Sequence, residues 1–257
     1  MAPRSSPPSS ALSELKISSA ALERRWLSLT KGLCTQLGRT QGELFVQADY
    51  ASNSVAAGFV GRACEYVERD RGGNSPVAPL CSIRQGPLLS WLGFHEVWDS
   101  RPGNSYAFRH VSLTVYLGYE GDLLKPQIFR SEWPGIRGRN AGVVGFQTPG
   151  AGHPHWQFDA LRTLHEIRTD QRDRSLARLR DEPVPVEFDP ATVTRDIMAE
   201  LQGIALDRIH FASAAPWWLL AGERPYGLHM NAPSDQEALL RWILECVAYI
   251  RQELVRC

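Results

Sequence analysis

A chain of 257 residues with 43% hydrophobic and 22% charged side chains can bury one sizeable core, and its composition excludes wholesale disorder. Its 28 basic and 28 acidic side chains cancel to a formal net charge of zero. That balance excludes the broad basic footprint of a protein that coats nucleic acid, though it leaves local patches open.

Lysines are scarce: Lys16, Lys31 and Lys125 are the only three, and the other 25 basic residues are arginines. Codon usage in a GC-rich bacterial genome accounts for this. The sharper reading is a set of planar guanidinium forks for phosphates or carboxylates. The five cysteines (Cys34, Cys64, Cys81, Cys246 and Cys257) are widely spaced with no CxxC pair, so neither a zinc ribbon nor a disulfide framework is indicated. Reduced thiols in a cytoplasmic protein are expected.

Residues 1–10 are rich in Pro and Ser, lack the apolar run of a signal peptide, and are expected to form a disordered tail. Residues 11–37 then predict a helix, because Leu12, Leu15, Leu22, Trp26, Leu29 and Leu33 recur at near-helical spacing. A second helix is expected over 54–69, with Val55, Phe59, Ala63, Tyr66 and Val67 on its apolar face and Ser52, Asn53 and Ser54 as candidate caps. DRGGNSP ends it.

The period then changes. Residues 94–98 predict a strand, SRPGN a turn and 106–119 a long strand. There Val111, Leu113, Val115 and Leu117 alternate with His110, Ser112, Thr114 and Tyr116, as in a half-buried antiparallel strand. PQIFRSEW (126–133) returns as the next strand, and VVGFQ reads as one more. Residues 155–180 predict a charged helix with Trp156, Phe158, Leu161, Leu164 and Ile167 as its buried stripe. After a proline-rich connector come a helix over 191–206, a strand in DRIHFASA and a final helix over 234–255. That last helix opens on SDQE, with Ser234 as cap and Glu237 three residues on.

The expected fold is therefore α+β: an antiparallel β-meander over about residues 94–147, packed against several α-helices, with a helical N-terminal extension. Residues 11–257 are expected to form a single domain, with a helical part over 11–70 and a sheet-plus-helix core over 90–257. No stretch approaches the ~20 apolar residues that span a membrane.

The densest candidate chemistry is GAGHPHWQFD. Gly150 and Gly152 permit unusual backbone angles, and Pro154 suits the first turn of a helix. A helix start of this kind holds anions on its free N–H groups, so Gly150, Gly152 and Arg130 are candidate anion-binding residues. His153, His155 and Asp159 are also of metal-ligating type, and Glu132 and His210 can complete a set for zinc or manganese. The pattern is neither HxHxDH nor HExxH, and a plain helix start is the favoured explanation, with the ligand site second. Arg130 and Glu132 are expected on one side of their strand, as an ion pair or as part of a site. His210 reads as a hydrogen-bonded core histidine or a fifth ligand, and Trp217 and Trp218 as core or interface aromatics.

No P-loop, dinucleotide fingerprint or nucleophile elbow occurs. Two functions are expected. The first is a non-catalytic accessory subunit of a bacterial multi-component system that binds a protein or nucleic-acid partner, since Trp and Arg anchor interfaces. The alternative is a metal-dependent hydrolase of phosphodiesterase or nuclease type, in which the metal activates a bound water.

Overall fold

The computed structural model describes residues 14–68, 74–122, 125–133, 155–158 and 235–256. Within them, nine strands make one antiparallel sheet, curved into a half-barrel, and two helices cover one of its faces. In chain order these are β1 (Lys16–Ser18), α1 (Ser19–Leu37), β2 (Phe45–Tyr50), β3 (Ser54–Val60), β4 (Glu65–Glu68), β5 (Asn74–Ser82), β6 (Leu89–Arg101), β7 (Ser105–Gly118), β8 (Gln127–Trp133), β9 (His155–Phe158) and α2 (Gln236–Arg256).

The expected meander with several helices packed on it is thereby corrected. The sheet begins at residue 45 rather than near 94, and two helices stand among the described residues. The expected helix over 54–69 is β3 and β4, and Cys64 lies in the turn between them. Val55 and Phe59 are four apart, which puts them on one face at either period; Ala57 decides, because all three are buried while their neighbours are less so. Of SNS, read as helix caps, Ser52 and Asn53 lie in the turn joining β2 to β3 and Ser54 opens β3.

The expected helix from 155 is, over its first four residues, strand β9 paired with β8. His155, Trp156, Gln157 and Phe158 alternate polar and aromatic, which is itself a strand pattern. The expected strand in VVGFQ, the helix over 191–206, the strand in DRIHFASA and the N-terminal tail lie outside the described residues.

Two long strands carry the sheet. β6 pairs with β7 along its whole length, while its other edge is shared by β5 on residues 89–93 and β3 on residues 95–99. The outer edge of β7 is shared in the same way by β1 and β8. Pro76 and Pro79 sit inside β5, where a register shift follows Pro79; proline lacks the ladder N–H and is tolerated at such a break.

Side-chain alternation divides the sheet into two faces. One buries Val55, Phe59, Phe94, Trp98, Leu113, Val115 and Phe129 beneath Leu22, Leu29 and Leu33 of α1 and Ile243, Val247, Ile250 and Leu254 of α2. Each fully buried Leu or Phe stabilises by about 1.5–3 kcal/mol before ordering costs. The helices approach closely at Gly32, where an added Cβ would stand 2.6 Å from Leu244 Cδ1.

Capping sets the helix ends. The Ser18 hydroxyl accepts from Ala21 N–H, and Gly38 (φ 63°) closes α1 with Arg39 N–H bonded to Cys34 C=O, a Schellman stop. In α2 the cap is Asp235, whose Oδ1 accepts from Glu237 and Ala238 N–H at 3.0 and 2.7 Å, one residue later than the SDQE pattern implies.

Between the helices and the sheet lies a buried ion pair. Arg25 Nε and Nη2 donate to the two Glu96 carboxylate oxygens at 2.6 and 2.8 Å, with side chains 2% and 0% exposed. Trp98 Nε1 also donates to Glu96, and Arg25 Nη1 donates to Gln236 C=O, so one network ties α1, β6 and the start of α2.

Candidate functional site

The face turned away from the helices is built differently at its two ends. Where β6 begins, Val67, Val77, Trp91 and Tyr116 form a second, small core. Lys125 closes it, with its ammonium 4.5 Å from the Trp91 ring centroid and 2.6 Å from Glu65 Oε2. Beyond this core the face becomes polar.

The polar part follows from register. Gln47, Gly58, His95, Ser112, Glu132 and His155 are successive Cα partners across β2, β3, β6, β7, β8 and β9. One row over, Thr114 lies between Gly93 and Arg130, and Gln157 partners Arg130. His110 partners Val97, two residues from His95, and the two imidazole centroids are 6.3 Å apart. Ser112 and Thr114 hydroxyls bond at 3.2 Å, and Arg130 Nε pairs with Glu132 Oε1 at 3.1 Å.

His110 is altered by these surroundings. Burial pushes its pKa below the ordinary 6.5, against the Glu132 carboxylate, which favours the charged form. His95, Arg130 and Arg109 add to the depression. At neutral pH its imidazole is uncharged, with one nitrogen donating and one accepting.

Beside this row a cleft of about 280 Å³ opens between β2, β3, β4 and β5. Its floor includes Gly58 and Gly93, and a Cβ at Gly93 would lie 3.3 Å from the Tyr116 ring. Gln47, Asp49, Ser75, His95 and Thr114 supply polar groups, while Tyr66 and Tyr116 supply aromatic surface. Gln47 and Asp49 are exposed on β2, and Tyr66 is 54% exposed.

Of the residues singled out from sequence, Arg130 and Glu132 are on this face, and the backbone of His155 lies opposite Glu132. Gly150, Gly152, His153, Asp159, His210, Trp217 and Trp218 lie outside the described residues. Among the described residues no three His, Cys, Asp or Glu side chains are close enough to hold a metal ion. The sequence reading missed His95, Gln47, Asp49 and Ser75 as site residues. For His95 a signal existed: on paired strands, the polar half of each alternating pattern falls on one common face.

No family model, curated protein or solved structure matches this chain. Among the described residues, no helix is long and apolar enough to cross a membrane. Cys34, Cys64, Cys81 and Cys246 are free thiols; burial pushes Cys64 up to about 11 and Cys246 higher still, so neither is poised as a thiolate nucleophile.

Proposed function

We propose that the protein is a non-catalytic recognition module, a cytoplasmic accessory subunit of a bacterial multi-component system, and that the polar face of its half-barrel is the recognition surface. The observation that carries this reading is the row of Gln47, His95, Ser112 and Glu132 across four strands, beside an open cleft. An array of donors and acceptors held on hydrogen-bonded strands is rigid, and rigidity lowers the ordering cost of binding.

A protein partner is favoured over a nucleic-acid backbone. Among the described residues no lysine or arginine lines the cleft, and Asp49 stands on its rim. A phosphate chain would have to be neutralised by basic groups along its track. Arg130, the basic residue beside the row, is already engaged by Glu132.

The test is recovery of partners from cells by the wild type and by Thr114→Arg, which sets a long cation across the face without touching the core. Loss of the same specific partner from an equally stable variant supports the proposal. An unchanged partner set sinks it.

A second reading, a metal-dependent hydrolase, draws on one observation: β9 brings the backbone of His155 opposite Glu132, near the two imidazoles of β6 and β7. Its test is zinc and manganese content of the purified protein beside a His153→Ala/His155→Ala variant. Near-stoichiometric metal lost in the variant favours it over the binding module, and a metal-free wild type removes it.

A further inference from the structure

We propose that the cleft between β2, β3, β4 and β5 is a subsite for a neutral saccharide ring. This rests on the polar face being the recognition surface and names the chemistry of its deepest part.

Size comes first. Pockets for drug-sized ligands run to about 300–1,000 Å³, so a cleft of about 280 Å³ suits a single ring. Charge comes second. Among the described residues, Asp49 and His95 are the ionisable side chains apart from tyrosine on its wall, and no guanidinium or ammonium lines it. A phosphate or carboxylate would meet no fixed countercharge there and would face the Asp49 carboxylate.

The polar groups and their spacing point to hydroxyls. Gln47 and Asp49 both project from the exposed edge of β2 on the cleft side, presenting an amide and a carboxylate. A carboxylate accepts two or more O–H donors, and an amide both donates and accepts, which matches adjacent hydroxyls on a ring. Tyr66 is more than half exposed at the same cleft, and an aromatic face of that kind covers the C–H side of a pyranose. The floor carries no side chain at Gly58, leaving room for the ring to approach the sheet there, while the Tyr116 ring covers Gly93.

Ser75 supplies an independent sign of a ligand. It is 4% exposed, lines the cleft, and its hydroxyl has no hydrogen-bond partner among the described residues. A buried hydroxyl left unmatched destabilises the free protein. A ligand hydroxyl in the cleft would satisfy it.

The experiment is ligand-observed NMR and calorimetric titration of the full chain with glucose, N-acetylglucosamine, their β-1,4-linked trisaccharides, glucose 6-phosphate, adenosine and uridine. A neutral sugar is expected to bind with a Kd of about 1 mM, a single-ring affinity, and glucose 6-phosphate more weakly. A tighter trisaccharide identifies a glycan chain as the source, and equal affinity identifies the free sugar. Tyr66→Ala and Asp49→Asn, both at exposed positions, are expected to weaken binding at least tenfold with an unchanged melting temperature. Ser75→Ala is expected to weaken binding while raising the melting temperature of the free protein. Binding of a nucleoside with no neutral sugar bound, or sugar binding that none of the variants changes, overturns the proposal. If Thr114→Arg abolishes partner recovery while sugars fail to bind, the saccharide subsite falls and the recognition face stands.

Discussion

Removing Arg25 isolates the Glu96 carboxylate in the core, and Arg25→Met is the cleanest perturbation because it keeps most of the side-chain volume. In the wild type that carboxylate accepts two guanidinium hydrogen bonds and one from the Trp98 indole, at 2.6–2.8 Å, with no exposure to solvent. Breaking a buried pair by deleting one partner costs about 3–5 kcal/mol, because the remaining charge stays desolvated and unpaired. A domain is stable by about 5–15 kcal/mol in total, so the variant loses a large share of its margin. The tie from Arg25 Nη1 to Gln236 C=O at the start of α2 is lost as well.

Urea denaturation followed by circular dichroism reads the loss as a lower midpoint at an unchanged slope. Glu96→Leu added to Arg25→Met removes both charges and is expected to recover part of the loss, leaving Trp98 Nε1–H without its acceptor at about 1–3 kcal/mol. An Arg25→Met variant within about 1 kcal/mol of wild type would refute the reasoning, since no unpaired core charge is that cheap.

Further outcomes follow from individual residues. Because folding depresses the His110 pKa below 6.5, the unfolded chain binds more protons in the window beneath that value; stability therefore falls as pH drops through it and is flat above. His110→Gln is expected to flatten that slope in denaturation curves taken from about pH 5 to about pH 7, and an unaltered slope would show that the imidazole is not responsible. The β5–β6 turn holds Arg84 and Gln85 at φ 50° and 54°, so Arg84→Asn/Gln85→Gly is expected to raise stability by about 1 kcal/mol, read as a higher urea midpoint. Gly61→Ala is expected to lose stability in the same assay, since its φ is 138° and an added Cβ would lie 2.2 Å from Glu43 C=O. Thiol labelling of the native protein is expected to spare Cys34 and Cys246, 3% and 0% exposed, until denaturant is added.

Legibility in the sequence followed how strongly each element declared its period. The long alternation of β7 and the amphipathic faces of α1 and α2 were readable, because each buries a stripe of aliphatic residues over many positions. β2 was not, since an edge strand buries only Val46 of its six residues. β5 was hidden by Pro76, which read as part of a break and instead pairs with Tyr66, while Pro79 stands beside a ladder irregularity. β3 carried a spacing of four between Val55 and Phe59 that serves both periods.

The site was harder, because it is a product of register. Gln47, His95, Ser112 and Glu132 come from four strands spread over 86 positions of the chain, and nothing local links them. Only pairing makes them neighbours. The ion pair of Arg130 with Glu132 was anticipated, since residues two apart on a strand share a face.

The recognition face is tested most directly by photo-crosslinking in cells, with a photoreactive phenylalanine in place of Phe45 or, separately, of Leu27. Phe45 is 38% exposed and shares a face of β2 with Gln47 and Asp49, whereas Leu27 is 72% exposed on α1, on the helical side. A specific adduct from position 45 and none from position 27 is the predicted result. An adduct from position 27 alone would place recognition on the helices and contradict the polar face as the working surface.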